Sequence, residues 1–371
     1  MNRATKSYLI LALCVLTFLQ MPIATDPPCA QLVADNFIRT SGPHLCLNGQ
    51  ALKLLGANSY GILGGYLGIG YINSQTPESP VRLNDAANAG LRVIRFWLDV
   101  TNSDYWFPLA YSKFSDDHDH KPYFAALDRL VADAKANDVY LVPVLASAFD
   151  QWTALGNGES FWKIGTKTNL RFKEWVSAIV RKYSGDSQIA WWEIANEPNH
   201  FGMSGQNSVD LNTLAVWAGN MYSFVKSLDT VHIVCGGFNN TGNLDIAAFD
   251  KLNRPFDIAS IHIYEDDLYK LEAGKGILDK ERAIEDFIKI YSSHSKNVLR
   301  KPLVFGEFNG DNKSTGKWFV ETFLKHALEK ADAALIWLWE EGTPGATYYV
   351  APKSTPEIVE TLCAYSASLR R

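Results

Sequence analysis

Eight short apolar runs, each followed by a longer amphipathic stretch, constrain this 371-residue chain more than any other feature. They are LKLLGAN (52–58), LRVIRFW (91–97), VYLVPVLA (139–146), IAWWEIANE (189–197), VHIVCGG (231–237), DIASIHIY (257–264), KPLVFGEF (301–308) and AALIWLWE (333–340). Near-continuous apolar runs rich in β-branched and aromatic residues read as strands buried on both faces, as in parallel sheets. Between them, segments such as PYFAALDRLVADAKAND and NLRFKEWVSAIVRKYSG repeat apolar residues at three and four and end near Gly or Asn, as helices do. Eight strand-helix units predict an α/β fold in its closed form, the (β/α)8 TIM barrel, which needs about 250 residues plus loop insertions. Alternation by itself also permits an open, doubly wound sheet. Ahead of the first run, FIRTSGPHLCLNGQ contains Ser41-Gly42-Pro43 and Asn48-Gly49, and Asn-Gly between apolar runs predicts an N-terminal β-hairpin.

The chain ends and the charge narrow the possibilities further. Arg3 and Lys6 precede an apolar stretch from Tyr8 to Leu19, with small residues at Ala24 and Thr25, so residues 1–25 read as a signal peptide. That stretch is shorter than the about 20 residues a membrane helix needs. A secreted, extracellular protein without stable membrane association is therefore expected, with residues 26–371 as a single domain and a monomer as its state. Cys29 and Cys46 are close enough in sequence to tie down the N-terminal end in an oxidising compartment, whereas Cys235 inside VHIVCGG reads as a buried free thiol. Asn239 and Asn312 begin Asn-Xaa-Thr/Ser triplets, which permit glycosylation if the secretory pathway supplies it. With 35 Lys and Arg against 40 Asp and Glu the net charge is −5. Nothing resembles the basic face that nucleic acid demands, and a neutral partner fits better.

The chemistry concentrates at the ends of two runs. In WEIANEPNH, Pro198 stops the apolar run and leaves Glu197 at its tip; Glu307 closes the seventh run in LVFGEF. In a barrel, strand tips on the C-terminal face surround the one deep cleft, so the two carboxyls can face each other across the axis. Such a pair suits hydrolysis of a glycosidic bond, one carboxyl protonating the departing oxygen while the other attacks or supports the cationic sugar carbon. An Asn-Glu-Pro triplet alone is more often turn chemistry, and only the second carboxyl at a second strand tip favours catalysis. Other features carry less. SDDHDH (115–120) matches no closed zinc pattern and reads as a solvated rim. GILGGYLGIG (61–70) lacks the strand-turn-helix spacing of a phosphate loop and reads as a flexible loop, and Ser204 in GMSGQ has no nucleophile-elbow spacing. No cofactor and no metal are expected.

With LRVIRFW, WEIANEP, IASIHIY and PLVFGEF in this order at successive strand ends, the chain resembles glycoside hydrolase family 5, a retaining family built on a (β/α)8 barrel. The segment FIRTSGPHLCLNGQALKLLGAN is similar to the opening of that family's β-mannanases, and the resemblance runs from about Phe37 to Trp339. It implies Glu197 as general acid/base and Glu307 as nucleophile. It further implies Asn196 on the sugar 2-hydroxyl, Arg95 holding Glu307 ionised, Tyr264 orienting Glu307, His262 near the acid/base, and Trp339 as an aromatic floor, although Trp337 shares its parity. The third run departs from the family pattern by ending LASAFDQW, which makes Asp150, Gln151 and Trp152 candidates for sugar contacts, Trp152 by stacking. Loops at 101–122 and 149–169 are expected to wall an open groove. The function so implied is a secreted retaining endo-β-glycoside hydrolase acting on a β-1,4-linked polysaccharide, most of all mannan. An endo-β-1,4-glucanase is the alternative, since mannose and glucose differ only at C2, and a non-catalytic carbohydrate-binding barrel is a third reading.

Overall fold

The computed structural model describes residues 29–67, 83–99, 121–204, 207–240, 245–274, 279–311, 314–340 and 348–369. The expected signal peptide, SDDHDH, the loop from Thr101 to His120 and Asn312 of the second glycosylation triplet lie outside them. Three short antiparallel strands open the fold: β1 (Arg39–Ser41), β2 (His44–Leu47) and β3 (Gln50–Leu52). The expected hairpin is thus a three-stranded sheet with two tight turns. Asn48 and Gly49 take φ of 50° and 78°, the left-handed pair that a two-residue hairpin turn requires. A Cys29–Cys46 disulfide fastens the preceding segment to β2, and Cys235 is a buried free thiol.

Each of the eight apolar runs then holds one strand: β4 (Leu54–Asn58), β5 (Val93–Trp97), β6 (Tyr140–Val144), β7 (Trp191–Glu193), β8 (Ile233–Cys235), β9 (Ala259–Tyr264), β10 (Leu303–Asn309) and β11 (Ala333–Ile336). All pair in parallel, in the order β8-β7-β6-β5-β4-β11-β10-β9. The two ends of that series meet: Asp257 N donates to Val234 O at 3.0 Å, His262 N to Phe238 O at 2.8 Å, and Asn240 N to His262 O at 3.1 Å. The sheet is therefore a (β/α)8 barrel and not an open doubly wound sheet.

Side-chain alternation splits the apolar residues into two cores. Val93, Val142, Trp191 and Val304 fill the inside of the barrel, where Ile38 and Leu45 of the N-terminal segment and β2 close its lower end. Ile94, Phe96, Trp192, Phe305 and Phe308 point outward against the surrounding helices. Because strands in such a barrel are buried on both faces, nearly every strand position must be apolar, which is why the runs stand out in the sequence. The upper barrel positions are the exception, and they carry the polar groups described below.

Two segments differ from expectation. Residues Ile62–Leu67, expected as a flexible loop, form a short helix with Ile62 and Leu63 buried. Part of the expected groove wall is likewise a helix, Phe149–Leu155, whose Phe149 and Trp152 lie three residues apart on the buried face. Asn239 of the other glycosylation triplet is buried. Among the described residues, no helix is long and apolar enough to cross a membrane.

Candidate active site

The mouth of the barrel is organised around one buried guanidinium. On β5, Val93 and Arg95 face inward while Ile94 and Phe96 face out, so Arg95 enters the barrel just above the inner apolar core and is 1% exposed. Its Nη1 donates to Asn58 Oδ1 at 2.8 Å and to Glu307 Oε1 at 2.7 Å, its Nη2 to Asn196 Oδ1 at 2.7 Å and to Glu193, and its Nε to Glu193 Oε1 at 3.0 Å. Burial works against its charge, but Glu193 and Glu307 outweigh that and hold it protonated. Glu193, expected as a buried structural carboxyl, is just that: a counter-ion beneath the site, also approached by Cys235 Sγ at 3.5 Å.

Glu307 reaches the interior by a break in strand alternation. Val304 lines the barrel and Phe305 points out, so strict period two would send Gly306 in and Glu307 out. The β9–β10 register shifts between Phe305 and Glu307, pairing Phe305 with Ile261 and Glu307 with His262, so Gly306 is the extra residue of a bulge and Glu307 turns inward. A side chain at 306 would force His262 to move, because its Cβ would stand 2.7 Å from His262 Nε2. Gly306→Ala is expected to displace His262, lowering kcat about 100-fold or more with little change in the thermal midpoint. Equal kcat in a folded variant would show that the close approach is incidental.

Glu197 lies beyond β7, which ends at Glu193. Its backbone is left-handed, with φ 50° and ψ 49°, and it caps the short helix Pro198–Gly202, whose first position is the proline that stops the run. Left-handed backbone in a non-glycine residue is costly and must be held by its surroundings. Here Glu197 N donates to Gly237 O at 2.8 Å and Asn196 N to Ala146 O at 2.8 Å. His262 sits between the two carboxyls, its Nδ1 at 3.0 Å from Glu197 Oε1 and 3.4 Å from Glu307 Oε1. His262 Nε2 is buried without a partner, so a proton on Nδ1 is the one that faces the carboxyls. Tyr264 donates its hydroxyl to Glu307 Oε2.

The two carboxyls respond differently to this setting. Burial pushes Glu307 above the usual carboxylate range, and Glu197 adds to the rise, against the pull of His262 and Arg95. For Glu197 burial also acts upward, but the hydrogen bond and charge of His262 win, aided by Asn239, and the carboxyl lies below its ordinary value. Glutamate oxygens and the imidazole nitrogen lie within 4.8 Å of one another, so the carboxyls titrate as a pair. That donor set has the composition of a metal site, and Arg95 already supplies a positive charge to one of its members, Glu307, at 2.7 Å.

The structure thus gathers Arg95, Asn196, Glu197, His262, Tyr264 and Glu307 into one cluster. It does not place Trp152 or Trp339 there. Trp152 is 0% exposed, donates its indole N–H to Asp99 Oδ2 at 3.0 Å and packs on Phe172 and Trp175, because the segment beginning at Phe149 is helical and turns it into the core. Trp339 is buried in the outer core. Pairing of β11 ends at Ile336, so strand parity does not extend to 339. Trp337 is half-buried instead, its ring stacked on Tyr60 with centroids 5.7 Å apart and an interplanar angle of 14°, beside Trp97. Asn58 was not singled out by sequence reasoning. It ends β4 as Arg95 nears the end of β5, and its amide nitrogen is anchored on Gly306 O at 3.0 Å. Asn239 and Asn199 were missed too; they bond each other through Asn239 N to Asn199 Oδ1 at 2.8 Å and Asn199 Nδ2 to Asn239 O at 2.6 Å, beside Glu197.

Comparison with known proteins gives consistent results. Residues 72–343 match the family model described as Cellulase (glycosyl hydrolase family 5). The chain is similar to mannan endo-1,4-beta-mannosidase 5 of Solanum lycopersicum, 25% identical over 76% of this chain and 73% of that protein. To mannan endo-1,4-beta-mannosidase 1 of Arabidopsis thaliana it is 26% identical over 81% and 78%. In fold it is similar to an endo-1,4-beta-mannanase of Rhizomucor miehei, with a TM-score of 0.70 at 18% identity over 90% of this chain and 99% of that one.

Proposed function

The chain belongs to glycosyl hydrolase family 5 and is a glycoside hydrolase, and from that premise we propose that it cleaves β-1,4-mannan internally with retention of anomeric configuration. One observation carries the stereochemical part. Oxygens of Glu197 and Glu307 approach within 4.8 Å, on the side of the about 5–5.5 Å separation of retaining enzymes and short of the about 6.5–9.5 Å that admits a water between the carboxyls.

In this reading Glu307 attacks the anomeric carbon while Glu197 protonates the glycosidic oxygen, so the C–O bond to the leaving sugar breaks as the bond to Glu307 forms. Water, deprotonated by Glu197, then attacks the same carbon from the leaving-group face and releases Glu307. Arg95 and Tyr264 both donate to Glu307 and suit its anionic form. Glu197 is the more open of the two, with 12% of its side chain exposed. A sugar laid over it removes that water and moves its proton affinity upward, toward what a general acid needs. Asn196, its carbonyl held by Arg95, has its amide end to offer the sugar 2-hydroxyl. Trp337, rather than Trp339, is the aromatic floor. Mannan is favoured by the named activities of the relatives, and export by the apolar N-terminal segment and the Cys29–Cys46 disulfide.

The decisive assay is reducing-sugar release from galactomannan, glucomannan and carboxymethyl-cellulose, with product lengths and the anomeric form of the first product followed in time. Mannan cleavage with mixed oligosaccharides from the start and β-anomeric products is expected. Turnover of the cellulose derivative alone replaces mannan by glucan; single sugars released one at a time remove the endo assignment; α-anomeric first products remove retention.

A further inference from the structure

The left-handed backbone of Glu197 is a conformation that a non-glycine residue keeps only under constraint from its surroundings. The segment after β8, from Gly237 to Asn240, supplies much of that constraint. Gly237 O accepts from Glu197 N at 2.8 Å. Phe238 O accepts from His262 N at 2.8 Å and Asn240 N donates to His262 O at 3.1 Å, so Asn239 is bridged to His262 as one strand residue is to another. On the other side Asn199, two residues past Glu197, closes a two-point latch: its Oδ1 accepts from Asn239 N at 2.8 Å and its Nδ2 donates to Asn239 O at 2.6 Å. One carboxamide thus satisfies both backbone groups of Asn239, which is 4% exposed.

Fixed between these two neighbours, Asn239 hydrogen-bonds the Glu197 carboxyl through its side chain. A carboxylate only accepts, so the amide nitrogen is the donor. The titratable groups that interact with Glu197 are His262 and Tyr264 of β9, His200 of the short helix that Glu197 caps, and Glu307 of β10. Each of them can exchange a proton, whereas the Asn239 amide cannot and favours the ionised form of Glu197 at every working pH. Burial lifts Glu197, His262 draws it down most, and Asn239 adds to that pull.

We propose that Asn239 is a positioning residue for the acid/base: the latch on Asn199 and the bridge to His262 hold it so that its amide fixes the Glu197 carboxyl for proton delivery to the departing oxygen. This rests on the reading of Glu197 as acid/base. Asn239 also opens the Asn-Asn-Thr triplet, and a residue so buried and so engaged has no room for a glycan on the same nitrogen, so the role requires an unmodified side chain.

The test measures kcat/KM on a linear β-1,4-mannohexaose, whose leaving sugar needs a proton, and on dinitrophenyl β-mannobioside, whose leaving group does not. Wild type, Asn239→Ala, Asn239→Asp and Glu197→Ala are made in a bacterial periplasm, where the disulfide forms and Asn239 stays unmodified. The hexaose-to-aryl ratio is expected to fall about tenfold in Asn239→Ala, part of the about 10²–10⁴-fold that general acid catalysis supplies. The basic limb of the hexaose profile moves to higher pH, because less opposes the lift that burial gives Glu197 and the acid keeps its proton further up. Asn239→Asp is isosteric, keeps both backbone groups on Asn199 and sets a second carboxyl against Glu197, so its basic limb moves further in the same direction. Loss of folded molecules lowers both substrates alike and leaves the ratio and the limb to those that fold. A ratio unchanged in both Asn239 variants, or a basic limb that stays in place, overturns the proposal. If Glu197→Ala also lowers both substrates alike, the acid/base reading itself fails and takes the proposal with it. If wild type turns over no manno-oligosaccharide, the mannan assignment fails separately, and cellohexaose against dinitrophenyl β-cellobioside makes the same test of Asn239.

Discussion

If the chain cleaves mannan by the retaining route proposed above, Glu307→Ala is expected to lower kcat by at least about 10⁴-fold while the folded protein still binds oligosaccharide. The effect is large because no other group can supply the covalent bond: the neighbouring carboxyl, Glu197, is engaged with His262 on the leaving-group side. Folding should survive, since Arg95 keeps Glu193, Asn58 and Asn196 as partners when Glu307 is gone. The variant also opens a space beneath the anomeric carbon that a small anion fits. Azide added to Glu307→Ala with an aryl β-mannoside attacks from that face and displaces the aryl group once, giving the α-mannosyl azide. Glu197→Ala behaves differently: the glycosyl bond to Glu307 still forms with an activated leaving group, and azide then enters from the opposite face to give the β-product. The anomeric configuration of the two azides, read by NMR, assigns the roles independently of rate. Identical products, or an undiminished kcat in Glu307→Ala, would remove Glu307 as the nucleophile.

The barrel was readable because of a burial constraint. A strand covered on both faces leaves almost no position for a polar residue, so each of the eight strands appears as an apolar run. Glu197 and Glu307 stood out by the same logic, as carboxyls at the ends of such runs. What period two alone would have put wrong is the direction of Glu307; the bulge at Gly306 corrects it, and a one-residue register shift has no signature beyond the glycine itself. Trp152 and Trp339 illustrate a different limit. Whether an aromatic faces a cleft or a core depends on where a helix begins and a strand stops, and both were set by boundaries one turn away from those expected. Asn58 had a usable signal, an amide at the tip of the first barrel strand directly paired with Arg95 on the second.

Arg95→Ala is expected to combine the largest stability loss with a shift in pH dependence. Removing the guanidinium leaves Glu193 and Glu307 buried without their cation, and breaking a buried pair from one side costs about 3–5 kcal/mol. Burial already raises Glu307, and Arg95, with His262 and Tyr264, restrains that rise, so the variant carries Glu307 higher still. A nucleophile works only when ionised: activity is present above its pKa and disappears as pH falls through it. The acid limb of kcat/KM therefore moves to higher pH in any residual activity. For stability the sign is opposite. A carboxyl raised in the folded state favours folding at pH below its unfolded value and loses that contribution as pH rises through the folded one. The deficit of Arg95→Ala is thus smaller near pH 4, where Glu307 is closer to neutral, than near pH 7. Arg95→Lys restores a charge but not the fork that spans Glu193, Asn196, Asn58 and Glu307, and should recover part of the stability with little of the rate. Melts at the two pH values and a pH profile of kcat/KM check both halves. An unshifted acid limb with equal deficits at both pH values would mean that Arg95 packs the barrel without tuning its nucleophile.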